Sequence, residues 1–159
     1  MAYIPSKKIY MLCGVPGSGK STWAREQVVK LDGKGIIISR DVIRFSMLGD
    51  DDAYFAHEDV VFDEFIKEIQ EAINDQEHTS IFIDATHLNE KNRNKVLSRI
   101  WRMKDDVVIG VYFDIPLEEC LRRNAQRTGR ALVPETVIKN MYESLTKPLE
   151  LDEMIVIGE

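Results

Sequence analysis

The run Gly14-Val15-Pro16-Gly17-Ser18-Gly19-Lys20-Ser21-Thr22 holds three glycines, a lysine and three hydroxyls in nine positions. Glycines at this spacing let backbone N–H groups converge on an anion with no Cβ in the way. Lys20 can reach the terminal phosphates of a nucleotide and Ser21 can ligate magnesium. A helix beginning here turns its positive end on the same anion. The spacing is the full GxxxxGKS pattern of a phosphate-binding loop, so Gly14, Pro16, Gly17, Ser18, Gly19, Lys20, Ser21 and Thr22 are the candidate nucleotide contacts. Such a loop holds phosphates but does not say where one is sent.

Three other groups bear on that question. Asp41 lies two residues past the apolar Ile38-Ser39 end of a hydrophobic run, and Arg44 follows three residues later. A carboxylate there can take the proton of an attacking hydroxyl, and the arginine can neutralise a phosphate on the acceptor. Alternatively Asp41 caps a helix over residues 42–48 and Arg44 is solvated. Asp84 closes a second hydrophobic run, where a carboxylate can organise magnesium and its waters, or tie the strand end to a loop. Thr86 and His87 follow as candidate acceptor contacts, although no carboxylate is evidently placed to orient His87 as a base. Arg122, Arg123, Arg127 and Arg130 put four arginines in nine positions. Arg123 and Arg127, four apart, can share a helix face and meet the phosphates, with Arg130 next and Arg122 turned away. The other reading of this segment is a basic surface helix paired with carboxylates.

These groups need a frame that brings them together. Apolar segments at 8–13, 35–39, 80–83, 107–113 and 154–157 predict five strands. The middle three are continuous rather than alternating, as expected of parallel strands buried on both faces. Helical spacing fills 20–29, 53–74, 90–103, 116–126 and 134–145, with Phe55 placed on the apolar stripe of the second. Alternating strands and helices predict an α/β three-layer sandwich. In such a sheet, ligands gather beyond the carboxyl ends of the strands, where all the groups above fall.

The 159 residues suit one domain, with 116–145 as a helical lid that excludes water. A formal charge of −6 argues against a protein that coats long nucleic acid. Cys13 and Cys120 lack metal-ligand spacing and read as buried thiols. No apolar run is long enough to span a membrane and no leader is evident, so a cytoplasmic protein without a membrane partner is expected.

Gly14 to Thr22, Arg40-Asp41 with Arg44, Asp84-Ala85-Thr86-His87, and Arg123-Asn124 with Arg127 together resemble the kinase module of bacteriophage-type polynucleotide 5′-hydroxyl kinases. Those belong to the wider zeta-toxin-like group of P-loop kinases. The resemblance implies a parallel sheet of order 2-3-1-4-5 and transfer of the γ-phosphate of ATP, with Mg2+, to the 5′-OH of a DNA or RNA end. It implies Asp41 as general base, Arg44 on the phosphate beside that end, Lys20, Arg123 and Arg127 on the donor phosphates, and Ser21 at the metal. No DxDxT pattern is present, so only the kinase half of the two-activity members is expected. Trp23, Tyr54, Phe55 and His57 are candidates for stacking on a terminal base. The same residues suit a kinase of a sugar, nucleoside or amino-sugar nucleotide. A non-catalytic, nucleotide-gated interaction module is the third reading, and would need neither Asp41 nor the arginines.

Overall fold

The computed structural model describes residues 3–158. Its strands are β1 (Lys8–Cys13), β2 (Gly35–Ser39), β3 (Ser80–Asp84), β4 (Val107–Asp114) and β5 (Glu153–Gly158). They form one parallel sheet in the order β2-β3-β1-β4-β5, as the resemblance implies. The helices are α1 (Lys20–Lys30), α2 (Arg40–Met47), α3 (Glu58–Asn74), α4 (Glu90–Leu97), α5 (Leu117–Ala125) and α6 (Glu135–Ser144).

The continuous apolar runs are explained by where successive side chains go. In β3, Ile81 and Ile83 pack with Phe65, Ile69 and Ile73 of α3, while Phe82 joins the other face with Ala24 of α1, Cys120 of α5 and Ile138 of α6. A strand with period two and helices on both sides has no polar face to offer. β1 is divided the same way, with Ile9 and Met11 on the α3 side and Leu12 opposite. Both cysteines are buried and unbridged.

Two helices are shorter than the spacing predicts. Residues 53–57 turn instead of joining α3, because the Asp52 carboxylate accepts from the Gly49 N–H at 2.8 Å and pairs with His57 at 3.0 Å. Phe55 therefore lies off the core stripe and is 59% exposed. α4 stops at Leu97, since Gln70 of α3 takes both the N–H and the carbonyl of Trp101, at 2.7 and 2.9 Å.

Arg93 of α4 fixes the return to β5. It is 1% exposed, bonds Glu150 at 2.6 Å, and donates to the carbonyls of His87 and Thr146 at 3.0 and 3.2 Å. Removing one partner of a buried pair leaves the rest uncompensated. Arg93→Ala is expected to lower the unfolding free energy by about 3–5 kcal/mol. Denaturant titration checks this, and a loss below 1 kcal/mol would contradict a fixing role.

Candidate functional site

The phosphate loop is shaped before any ligand arrives. Gly17 and Gly19 have φ of +86° and +92°, a region that side chains resist, and a Cβ on Gly17 would strike the Cys120 carbonyl. No side chain caps α1 and its first turn holds no carboxylate, so its leading N–H groups face the loop unclaimed by acid. The segment after β3 braces the loop from below. The Gly14 N–H donates to the Thr86 carbonyl at 3.0 Å, and His87 Nδ1 bonds the Leu12 carbonyl at 2.7 Å.

Cations gather over this loop. Lys20 is anchored to the Val15 carbonyl at 3.3 Å. Burial lowers its pKa, the nearby Asp84 and Asp41 carboxylates oppose that, and the Arg127 charge reinforces it. Arg127 lines the same cleft of about 860 Å³, and its side chain makes no hydrogen bond or ion pair with the described residues. Two like charges beside an uncapped helix start are what an anion would relieve. Ser21 donates to Asp84 at 2.6 Å at the cleft floor. A hydroxyl and a carboxylate are hard oxygen donors, and two protein oxygens suit an ion completed by phosphate and water. Among the described residues no group of three or more His, Cys, Asp or Glu is placed to hold a metal by itself.

The far wall is built around Arg44. α2 is capped by Ser39, whose Oγ accepts the Val42 N–H at 3.2 Å. Asp41 is therefore not the cap and stands free in the first turn, its side chain 59% exposed. Arg44 is 6% exposed and stacks over the Tyr54 and Phe55 rings at 4.6 and 5.6 Å. It grips Glu58 through Nε and Nη2, and its Nη1 donates to Asp41 and Tyr54. Burial alone would raise Glu58, but the hydrogen bonds and charge of Arg44, with Arg40, outweigh it and hold the carboxyl down. Burial first, then Asp41, pushes the Tyr54 phenol up, so it stays protonated and donates to Asp41 Oδ1 at 2.8 Å. Both bonds land on Oδ1; Oδ2 of Asp41 receives none from the described residues.

The fold and this loop together carry a family. A model of the AAA domain matches residues 9–148. The chain belongs to that family. Membership in the AAA domain family implies ATP binding, and the sheet order with a helical lid is that of a P-loop kinase fold. Solved structures share the architecture. A chain of the Pnkp1/Rnl/Hen1 RNA repair complex superposes with TM-score 0.70 at 21% identity, over 90% of this chain and 45% of that one. The AAA-domain chain thus spans under half the length of that relative. A gluconokinase from Sinorhizobium meliloti 1021 gives TM-score 0.58 at 17% identity, over 99% of this chain and 84% of that one. A sugar kinase from Janibacter sp. HTCC2649 gives 0.61 at 17% identity, over 97% and 86%.

Several residues of the AAA-domain chain sit differently from the sequence expectation. Arg123 and Arg127 do not share a helix face, because α5 ends at Ala125 with a tightened last turn. Arg127 reaches the main cleft; Arg123 bonds Glu119 at 2.9 Å and the Gly17 carbonyl at 3.4 Å, in a second hollow behind the loop. Arg122 turns outward onto Glu119, as expected. Arg130 rests on carbonyls of the 49–52 loop rather than on the phosphate loop. Four of the five N–H groups of Arg44 are committed, leaving one on Nη2 for an acceptor. Trp23 packs edge-on against Phe82 and Phe113 and is no part of the main cleft. Tyr54 and Phe55 line that cleft, and His57 pairs with Asp52 outside it. Among the described residues no helix is long and apolar enough to cross a membrane.

Sequence reasoning missed Glu58 and Asn124. Glu58 serves both the half-buried Arg40 and the buried Arg44, four residues apart on α2. Asn124 clamps the lid turn through the Val133 N–H and carbonyl at 3.0 and 2.7 Å, and only its inward position in α5 hints at this.

His87 is neutral in this setting. It is 4% exposed, its Leu12 bond places the proton on Nδ1, and Nε2 has no partner. Burial, with the Arg40, Lys20 and Arg93 charges, pulls its pKa to about 4 despite the opposing Leu12 bond. Between pH 6.5 and about 4 the unfolded chain binds a proton that the folded chain refuses, so stability falls as pH falls through that window. The full shift corresponds to a loss on the order of 3 kcal/mol. His87→Asn suits the local φ of +42° and removes the titration. Its denaturation midpoint should vary less with pH than that of the parent, and parallel profiles would contradict the assignment.

Proposed function

We propose that this chain is a polynucleotide 5′-hydroxyl kinase that transfers the γ-phosphate of ATP to the 5′-OH of a DNA or RNA end. The observation that carries this reading is the free Oδ2 of Asp41. Asp41 lines the same cleft as Lys20 and Arg127, beside an arginine with one N–H to spare. In the proposed reaction the acceptor 5′-oxygen forms a bond to the γ-phosphorus as the bond to the β,γ-bridging oxygen breaks. The hydroxyl proton passes to Asp41 Oδ2, and ADP carries away the displaced charge. Lys20 and Arg127 stabilise the equatorial oxygens in transit, with Arg123 steadying the loop from behind. Magnesium, which Ser21 and Asp84 suit, would neutralise the phosphate charge when bound. The remaining Arg44 N–H is offered to the phosphate next to the reacting end, with Thr86 at the acceptor wall.

A kinase of a small hydroxyl compound is the second reading. It is favoured by the gluconokinase and sugar-kinase likenesses, which cover 84% and 86% of those chains. A sugar acid such as gluconate could take the spare Arg44 N–H but leaves the exposed Phe55 ring without a task, whereas a nucleotide end supplies both a phosphate and a base.

Incubation with magnesium, γ-labelled ATP and 5′-OH oligonucleotides of DNA and RNA, beside free nucleosides and gluconate, separates the two. Label should appear on the oligonucleotide; label confined to a small compound would sink the polynucleotide reading. Asp41→Asn should lower kcat by about 10²–10⁴-fold with little change in ATP binding. Transfer that survives this change would refute the base assignment.

A further inference from the structure

Arg130 stands on the short 3₁₀ turn Gly129–Ala131 between α5 and α6, and it reaches across the cleft. Its Nη2 lies 2.6 Å from the Gly49 carbonyl and 3.2 Å from those of Asp50 and Asp52, about eighty residues away in sequence. Three carbonyl oxygens do not converge on one nitrogen by chance of packing. The 49–52 turn is pre-shaped to present them: the Asp52 N–H donates to the Gly49 carbonyl at 3.1 Å and the Gly49 N–H to the Asp52 carboxylate at 2.8 Å. The Asp52 carboxylate, held low first by the Gly49 N–H, also feels the Arg130 charge.

What lies at each end of this contact gives it a consequence. Two residues beyond Asp52 the same loop supplies Tyr54, which holds Asp41 Oδ1 and packs under Arg44. Three residues before Arg130 the lid supplies Arg127, whose charge is felt at Lys20. One guanidinium thus ties the segment that orients the acceptor side to the segment that crowns the donor phosphates.

We infer that Arg130 is a positioning residue, a latch that closes the lid onto the 49–52 carbonyls so that Arg127 is set over the phosphates only when the loop carrying Tyr54 is in place. The inference rests on the phosphotransferase reading above, though not on which hydroxyl is the acceptor. A latched lid excludes water, so phosphate goes to the acceptor rather than to hydrolysis. An unlatched lid still binds ATP through the phosphate loop but leaks.

The test compares Arg130→Ala, Asp52→Ala and the double variant with the parent. Transfer to whichever acceptor the labelling assay identifies is measured together with acceptor-free ATP hydrolysis and ATP affinity by calorimetry. Arg130→Ala should lower kcat for transfer by about tenfold, raise the ratio of hydrolysis to transfer, and change ATP affinity by less than about threefold. Asp52→Ala, which loosens the turn, should move the ratio the same way, and the double variant should be no worse than Arg130→Ala alone. An ATP affinity that falls tenfold with an unchanged ratio would make Arg130 a nucleotide contact and overturn the latch. Multiplying effects in the double variant would overturn it too. Hydrogen exchange gives a readout independent of activity: Arg130→Ala should speed exchange in both 48–57 and 126–134. Unchanged exchange in 48–57 would refute the contact even if no acceptor is labelled.

Discussion

The acceptor side of this cleft depends on one buried cation. Arg44 lies almost out of water, and a guanidinium there is tolerable only when its charge and N–H groups are met. Glu58 meets the charge through two bonds, Asp41 and Tyr54 meet Nη1, and the aromatic faces of Tyr54 and Phe55 cover the planar surface. These bonds also dictate geometry. Asp41 is held by one oxygen and presents the other, the Tyr54 ring is held beneath the guanidinium, and the start of α3 is drawn toward α2. A carboxylate that must act on a mobile acceptor gains from being fixed by groups that leave one lone-pair face open.

The donor side uses the opposite device, an unmet demand. α1 begins on left-handed glycines without a side-chain cap, Lys20 is half-buried beside it, and Arg127 lines the cleft with no carboxylate partner among the described residues. Positive charge that nearby carboxylates offset only in part favours an anion in proportion to how little water is there to compete. Saturated wall and hungry floor face each other across one cavity. In the proposed reaction that asymmetry would let the two substrates occupy separate halves of one site.

The frame was largely legible in the sequence. Continuous apolar runs such as Ile81-Phe82-Ile83 predict strands buried on both faces, and the glycine loop fixes where the sheet binds. Asp41, Asp84 and Lys20 could be assigned to one cleft because parallel sheets gather ligands at one edge. What escaped the sequence depends on contacts far apart in the chain. Phe55 fits a helical period with Phe62, yet the Asp52 turn keeps it out of α3. Arg127 fits a helix face with Arg123, yet α5 closes before it. Arg130 is one more arginine in a basic run until the 49–52 carbonyls are brought opposite. Periodicity reads faces within an element, whereas these outcomes are set by where an element ends.

In the proposed reaction Asp41 Oδ2 is the group that receives the acceptor proton. A structure with a non-hydrolysable ATP analogue, magnesium and a 5′-OH dinucleotide tests it most directly. The 5′-oxygen is expected about 2.6–3.2 Å from Asp41 Oδ2 and in line with the γ-phosphorus, with Arg127 over the phosphate oxygens. A 5′-oxygen out of reach of Asp41, or in line but bonded to another group, would contradict it.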